Sequence, residues 1–348
     1  MKTLLRSRRF QAGASIILAL ALLAYFLSRV PLAEIGRQIA QASPAWLIAS
    51  ILVSLSIFAA RALRWTWILR PVGRVPFLPA FRATSVGFAA NTVLPARAGE
   101  VIRPALLARE RGLPFPSLLA SIVFERILDA LAQLLFLGIA LSAGTGAATS
   151  SLSSSRLRWV VAGIAVVAIG IALFAVLWRA TTERVLERAF TVLPQRARPI
   201  ALRIAHTFLD GFASLKTPRL ALLVAGGSIA MWGVINVQIY CVMRAFGLQL
   251  PMTAAFVVTT AGVLGLAVPT PGGVGGYHAA VQFALTDFFR VPAAAATGVA
   301  LIAHAVSFVP ISIVGFAFFA ASPFQKEGLR RLADESPEPP ISDKLSSR

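Results

Sequence analysis

Among 348 residues there is a single cysteine, Cys241, inside an apolar run. One thiol allows no internal disulfide and no cysteine-based metal cluster, so its expected role is packing. Acidic residues are also scarce, 14 against 33 lysines and arginines, which leaves a formal net charge of +19. Charged residues of either sign make up only 14% of the chain, against about a quarter in an ordinary soluble domain. That is too little polar surface to cover a water-soluble globule. Strict two-residue alternation is missing, which argues against an outer-membrane barrel. Nucleic-acid fold motifs are missing too. The basic residues lie between apolar spans and are read as topology signals, with no nucleic-acid partner expected.

What the chain has in abundance is apolar sequence. Hydrophobic residues make up 57%, and the mean hydropathy is +0.77. They come in runs of about 20, the length needed to cross a hydrocarbon core as a helix. In lipid each backbone donor and acceptor must be satisfied within the chain, so helices are the expected spans. The expected fold is an all-α polytopic membrane protein with about six full spans, near 10–28, 44–69, 117–142, 157–178, 220–243 and 293–321. The first run is too long for a signal-peptide core and lacks a clear cleavage site, so it is read as a retained helix.

Two shorter apolar stretches, about 77–95 and 252–268, each run into a turn rich in proline and glycine. The first turn carries Asn91, Pro95, Arg97, Gly99 and Glu100. The second carries Pro269, Pro271, Gly272, Gly273, Gly275 and Gly276. Both are expected to form re-entrant hairpins. With a cytoplasmic N-terminus, Arg61, Arg64, Arg70 and Arg74 would face the cytoplasm, and 143–155 would lie outside without charge. The basic segment 179–219 would fall inside, as an interfacial helix or an ordinary loop, and both termini would be cytoplasmic. The transmembrane domain would cover 1–322, with halves near 10–142 and 157–322. Residues 323–348 read as a disordered cytoplasmic tail.

The halves resemble each other weakly. Phe81, Thr84 and Gly87 parallel Phe256, Thr259 and Gly262, while Pro95 and Gly99 parallel Pro271 and Gly275. Pro114 matches Pro292, and Glu125 falls opposite His304. Halves of opposite orientation with broken helices are a transporter signature.

The candidate chemistry lies near these breaks. Glu125 and Asp129 are four apart on one helical face, and Arg126 can also reach Asp129. Charge at that depth normally faces a cavity or a partner. Arg97 and Arg103 suit a phosphate through charge-assisted hydrogen bonds. His278 follows the second glycine turn and His304 lies in the last span; membrane-embedded imidazoles are candidates for proton coupling or for packing. The glycine-rich turn is not a nucleotide loop, because no Lys-Ser/Thr follows it.

At these positions the chain resembles the flippase-like transmembrane region of lysylphosphatidylglycerol synthases and its stand-alone relatives. The resemblance is carried by Asn91, Pro95, Arg97, Gly99, Glu100 and Arg103, then Glu125, Arg126 and Asp129, then Pro269, Pro271, Gly272, Gly273 and Gly275. It covers roughly 10–322. It implies a bacterial inner-membrane protein that moves or handles lipids. Where many relatives carry Glu and Arg, this chain has His278 and His304. The reading is a translocase for an anionic or phosphate-bearing lipid, with Arg97, Arg103 and Arg126 as headgroup contacts. Glu125, Asp129, His278 and His304 would line the cavity or couple protons. Metal and cofactor are not expected, and without a soluble catalytic domain the chain is expected not to be an enzyme. The alternatives are an integral-membrane lipid-modifying enzyme and a scaffold that binds a lipid-biosynthesis enzyme.

Overall fold

The computed structural model describes residues 13, 17–24, 26–28, 30–94, 97–144, 163, 179–192, 194, 198–199, 202, 217–268 and 270–321. The expected span 157–178 falls almost wholly outside these residues, whereas most of 10–28 is described and is helical over 17–24. Pro95, Pro269, most of 145–216 and the tail 323–348 also lie outside them.

Among the described residues all regular structure is helical. A short amphipathic helix α1 (Leu32–Ala40) leads into α2 (Pro44–Ile68), α3 (Phe77–Val93), α4 (Gly99–Arg111) and α5 (Phe115–Ser142). After α6 (Arg179–Ala189), the second half runs α7 (Pro218–Ala245), α8 (Met252–Gly265), α9 (Gly276–Phe283) and α10 (Ala293–Ala320). Proline opens α2 and α7 at the first turn, where the missing N–H has no helical partner to lose. The helix α9 continues through one π turn, Ala284–Phe288.

Among the described residues, three helices are long and apolar enough to cross a membrane: α2, α7 and α10. The expectation of six full spans is met only in part. The third expected span is present as α5, 28 residues long. Its Glu125, Arg126 and Asp129 put too much charge in the middle for it to pass as a simple apolar span. The outer faces of the long helices are apolar and uncovered, with Leu52, Leu222 and Ile313 each more than 60% exposed. Such a surface suits lipid and not water.

Each half has the same order: a long helix, a pair of shorter helices folded back on each other, and a second long helix. Each half also has its own core. Trp65, Ala83, Leu107, Ile122 and Phe124 pack in the first, and Val242, Val258, Val281, Leu285 and Val299 in the second. The halves join reciprocally, with α2 on α7, α3 on α10 and α8 on α5.

The helix pairs cross at glycines. A Cβ on Gly99 would overlap the Gly87 carbonyl, and one on Gly265 would overlap the Gly276 carbonyl. Only glycine lets two backbones approach so closely. A second device keeps the backbone satisfied. Pro310 interrupts α10 and frees the carbonyl of Val306, four residues earlier. The hydroxyl of Ser54 on α2 donates to that carbonyl at 2.8 Å.

The crossing is testable. Gly99→Ala is expected to cost about 1–3 kcal/mol through overpacking. Gly138→Ala, where an added Cβ meets nothing within 4 Å, should be neutral or stabilising, because alanine is the better helix former. Thermal unfolding of the two variants in detergent distinguishes them; equal melting temperatures would contradict the close crossing.

Candidate functional site

Among the described residues the buried charge is concentrated between α2, α4 and α5. Arg61 and Arg64 stand one turn apart on α2, Arg103 on α4, and Glu125, Arg126 and Asp129 on α5. Glu125 is fully buried, and Asp129, Arg61, Arg64 and Arg103 are each less than 7% exposed. Burial of this kind is tolerated only with close partners, and the pairing is dense.

Glu125 accepts from Arg126 at 2.8 Å, from Arg61 at 3.1 Å and from Arg103 at 3.1 Å, and it ion-pairs with Arg64 at 3.3 Å. Asp129 pairs with Arg64 at 2.7 Å and with Arg61 and Arg126 at 3.2 Å each, and accepts the indole N–H of Trp232 at 3.1 Å. Arg64 also donates to Ser228 of α7 at 2.8 Å. The Arg103 guanidinium lies 3.8 Å from the centre of the Trp65 ring, whose N–H donates to Ser121.

One expectation changes here, and one residue is added. Arg61 and Arg64 were assigned to the cytoplasmic face; they are instead partners of Glu125 and Asp129. They sit one to two turns inside the end of α2, and a buried carboxylate competes successfully with interfacial water for a guanidinium. They therefore do not count as topology signals. Trp232 was not expected at the site at all. Its signal was an indole in the middle of an apolar helix, where the N–H needs a partner.

Above the cluster lies a chamber of about 640 Å³. Its charged lining is Arg61, Arg97, Glu100, Arg126 and Asp129, and its apolar walls include Phe88, Leu134, Leu266 and Phe308. Both helix pairs reach it, the first through Asn91 and Arg97 and the second through Gly272 and Gly273. Of the three arginines expected to contact a headgroup, Arg97 and Arg126 line the chamber. Arg103 does not; it backs Glu125 from behind. Asn91 has a structural task as well, since its side-chain oxygen accepts the Gly99 N–H at 2.8 Å and closes the first turn.

Arg97 holds a backbone φ of 52°, uncommon for a residue with a side chain. Its guanidinium donates to the carbonyl of Leu266 at 3.2 Å, across to the second pair, and stands 3.6 Å from Glu100. Glu100 also lies 3.9 Å from Arg126. A smaller space of about 140 Å³ adjoins the chamber and shares Arg61, Phe88, Trp232 and Phe308 with it. Gln133 bonds to Thr260 and ties α5 to α8.

The histidines lie together but apart from the carboxylates. Their ring centres are 4.6 Å apart. His278 Nδ1 accepts the Gly275 N–H at 3.2 Å, and His304 Nε2 meets the Gly272 carbonyl at 2.8 Å. A carbonyl only accepts, so that nitrogen of His304 carries the proton. Among the described residues neither imidazole pairs with Glu125 or Asp129. Their observed role is to hold the second glycine turn, and Pro271 opens that turn.

An arginine-rich ion cluster at the floor of a chamber between paired, glycine-crossed helices defines a polytopic helical membrane protein with a polar internal site. The chain belongs to the family described as the lysylphosphatidylglycerol synthase TM region, which matches residues 13–315. It is 27% identical over 339 residues to Glycosyltransferase AglD of Haloferax volcanii, covering 89% of this chain and 54% of that protein. It is 24% identical over 337 residues to the UPF0104 membrane protein of Methanothermobacter thermautotrophicus, covering 89% of this chain and 96% of that protein. The chain thus spans about half the length of AglD.

The first relative corrects one expectation. The chain was expected not to be an enzyme, on the ground that it carries no soluble catalytic domain or motif; a relative named as a glycosyltransferase overturns that exclusion. Motifs of soluble folds do not report on chemistry performed within or beside a membrane domain.

The cluster predicts a contrast between two glutamates. Glu125→Gln leaves buried guanidiniums uncompensated and is expected to cost about 3–5 kcal/mol. Glu110→Gln, which removes the partly exposed pair with Arg82, is expected to cost about 0–1 kcal/mol. Unfolding in detergent measures both, and a Glu125→Gln protein as stable as wild type would contradict the pairing.

Proposed function

We propose that this protein moves a lipid with an anionic, phosphate-bearing headgroup between the leaflets of an inner membrane. One observation carries the reading: Arg61, Arg97 and Arg126 face a single chamber whose remaining walls are largely apolar. Guanidiniums suit phosphate oxygens through paired, charge-assisted hydrogen bonds, and the apolar walls suit the carbons next to a headgroup. Glu125 and Asp129 hold the arginines in place, and Arg103 and Arg64 brace them.

In this reading the two helix pairs are re-entrant and enter from opposite faces, as an inverted repeat would require. The repeated helix order and the reciprocal packing of the halves support it. Arg97, bridged to the Leu266 carbonyl, closes the chamber between the pairs, and a headgroup drawing Arg97 inward would release that bridge. His278 accepts the Gly275 N–H only while its Nδ1 is unprotonated, so a proton taken up there would loosen the second turn. We place both termini in the cytoplasm and include a lipid-biosynthesis enzyme among the partners.

A second reading is favoured by the name of the first relative. The chamber would then present a lipid for glycosyl transfer, with the chemistry supplied by this chain together with a further domain or partner.

Reconstituted vesicles distinguish the two. With a headgroup-labelled anionic lipid, the protein is expected to speed exchange between leaflets without changing the lipid's mass. Arg126→Gln should slow that exchange by about tenfold, the worth of one charge-assisted bond. Unaccelerated exchange would contradict translocation. A sugar-bearing product in the presence of a sugar donor would support the second reading.

A further inference from the structure

The charge balance of the chamber specifies the kind of phosphate. The buried cluster holds four arginines against two carboxylates, and Arg97 and Glu100 at the chamber's edge offset each other. Each of the four guanidiniums touches a carboxylate, yet the cluster keeps a net excess of two positive charges. Each element that reaches the chamber enters this balance. The α2 helix brings Arg61, the first helix pair Arg97 and Glu100, and α5 brings Arg126 and Asp129; among the described residues the second half brings no charged side chain to it.

Unused donors point the same way. All four arginines of the cluster have a buried Nε without a hydrogen-bond partner, and two of them, Arg61 and Arg126, line the chamber. Buried N–H groups left unpaired are costly, and so is an excess of positive charge on a largely buried cluster. A ligand that settles both deficits has two negative charges and several acceptor oxygens on one compact group.

We propose that the headgroup site selects a phosphate monoester, doubly ionised, over a phosphate diester. A monoester offers three terminal oxygens and close to two charges. A diester offers two free oxygens and one charge, which leaves one guanidinium unmatched. This inference rests on the proposed lipid-phosphate reading and narrows its substrate class.

The test uses the full chain in detergent and two lipids with identical chains, dioleoyl phosphatidate and dioleoyl phosphatidylmethanol. These differ by a single methyl ester. Binding is measured at about pH 8, above the second phosphate ionisation near 6. Phosphatidate is expected to bind about tenfold more tightly, the worth of one extra charged contact.

Arg126→Gln removes one excess charge and should bring the two affinities close together. Arg97→Gln frees Glu100 to neutralise Arg126 and should do the same from a more exposed position, which covers the case in which Arg126→Gln fails to fold. Equal affinities in the unaltered protein, or a preference that survives in the folded variants, would overturn the monoester inference. Saturable binding of neither lipid would overturn the headgroup site itself.

Discussion

A carboxylate taken out of water must be met by cations, or the chain gains nothing by folding around it. Glu125 is fully buried, and the arrangement of the first half follows from that. Four guanidiniums converge on it from α2, α4 and α5. Without Glu125 all four would face one another with less compensation. The helices that carry them are therefore fixed relative to one another by electrostatics as well as by packing. Asp129, one turn further along α5, extends the same lock to Trp232 of α7 and so to the second half. The lock has more positive than negative charge, and two of its arginines, Arg61 and Arg126, line the chamber.

That space exists because of backbone geometry. In each half, two short helices cross at glycines and bring polar turns into the interior. The second turn is built without charge. Two imidazoles hold its amide and carbonyl groups, and Gly272 rests against Thr92 of the first turn. Irregular backbone inside a membrane protein is tolerated where it is buried in protein or lines a polar cavity, and both turns meet that condition. The halves thus divide the work: the first supplies charge, the second supplies close-packed backbone and apolar wall.

Much of this could be read from the sequence, for identifiable reasons. Apolar runs with prolines at their starts mark α2, α7 and α10, because chain length and hydropathy alone decide a span. The Pro/Gly turns mark both helix pairs, since few other residues permit such turns. Glu125, Arg126 and Asp129 stand out as charges at depth. Arg61 and Arg64 were misread because an arginine near a span's end fits the interfacial rule as well as it fits a buried partner. Only the distant carboxylates on α5 decide between these. Trp232 and Ser228 were invisible for the same reason, since their polar atoms acquire meaning only when α7 packs on α2. His278 was read as following the glycine turn and His304 as lying in the last span; that both tie to backbone atoms of the turn was not legible, because no side-chain pattern encodes it.

The central claim is that unmatched positive charge in the chamber is answered by a lipid phosphate. Native mass spectrometry of the protein extracted from its own membrane tests this most directly. The account predicts one retained phosphorus-containing lipid per chain, held by the unaltered protein and lost from folded Arg126→Gln. A protein that emerges without bound lipid, or one that keeps the same lipid after that substitution, would contradict it.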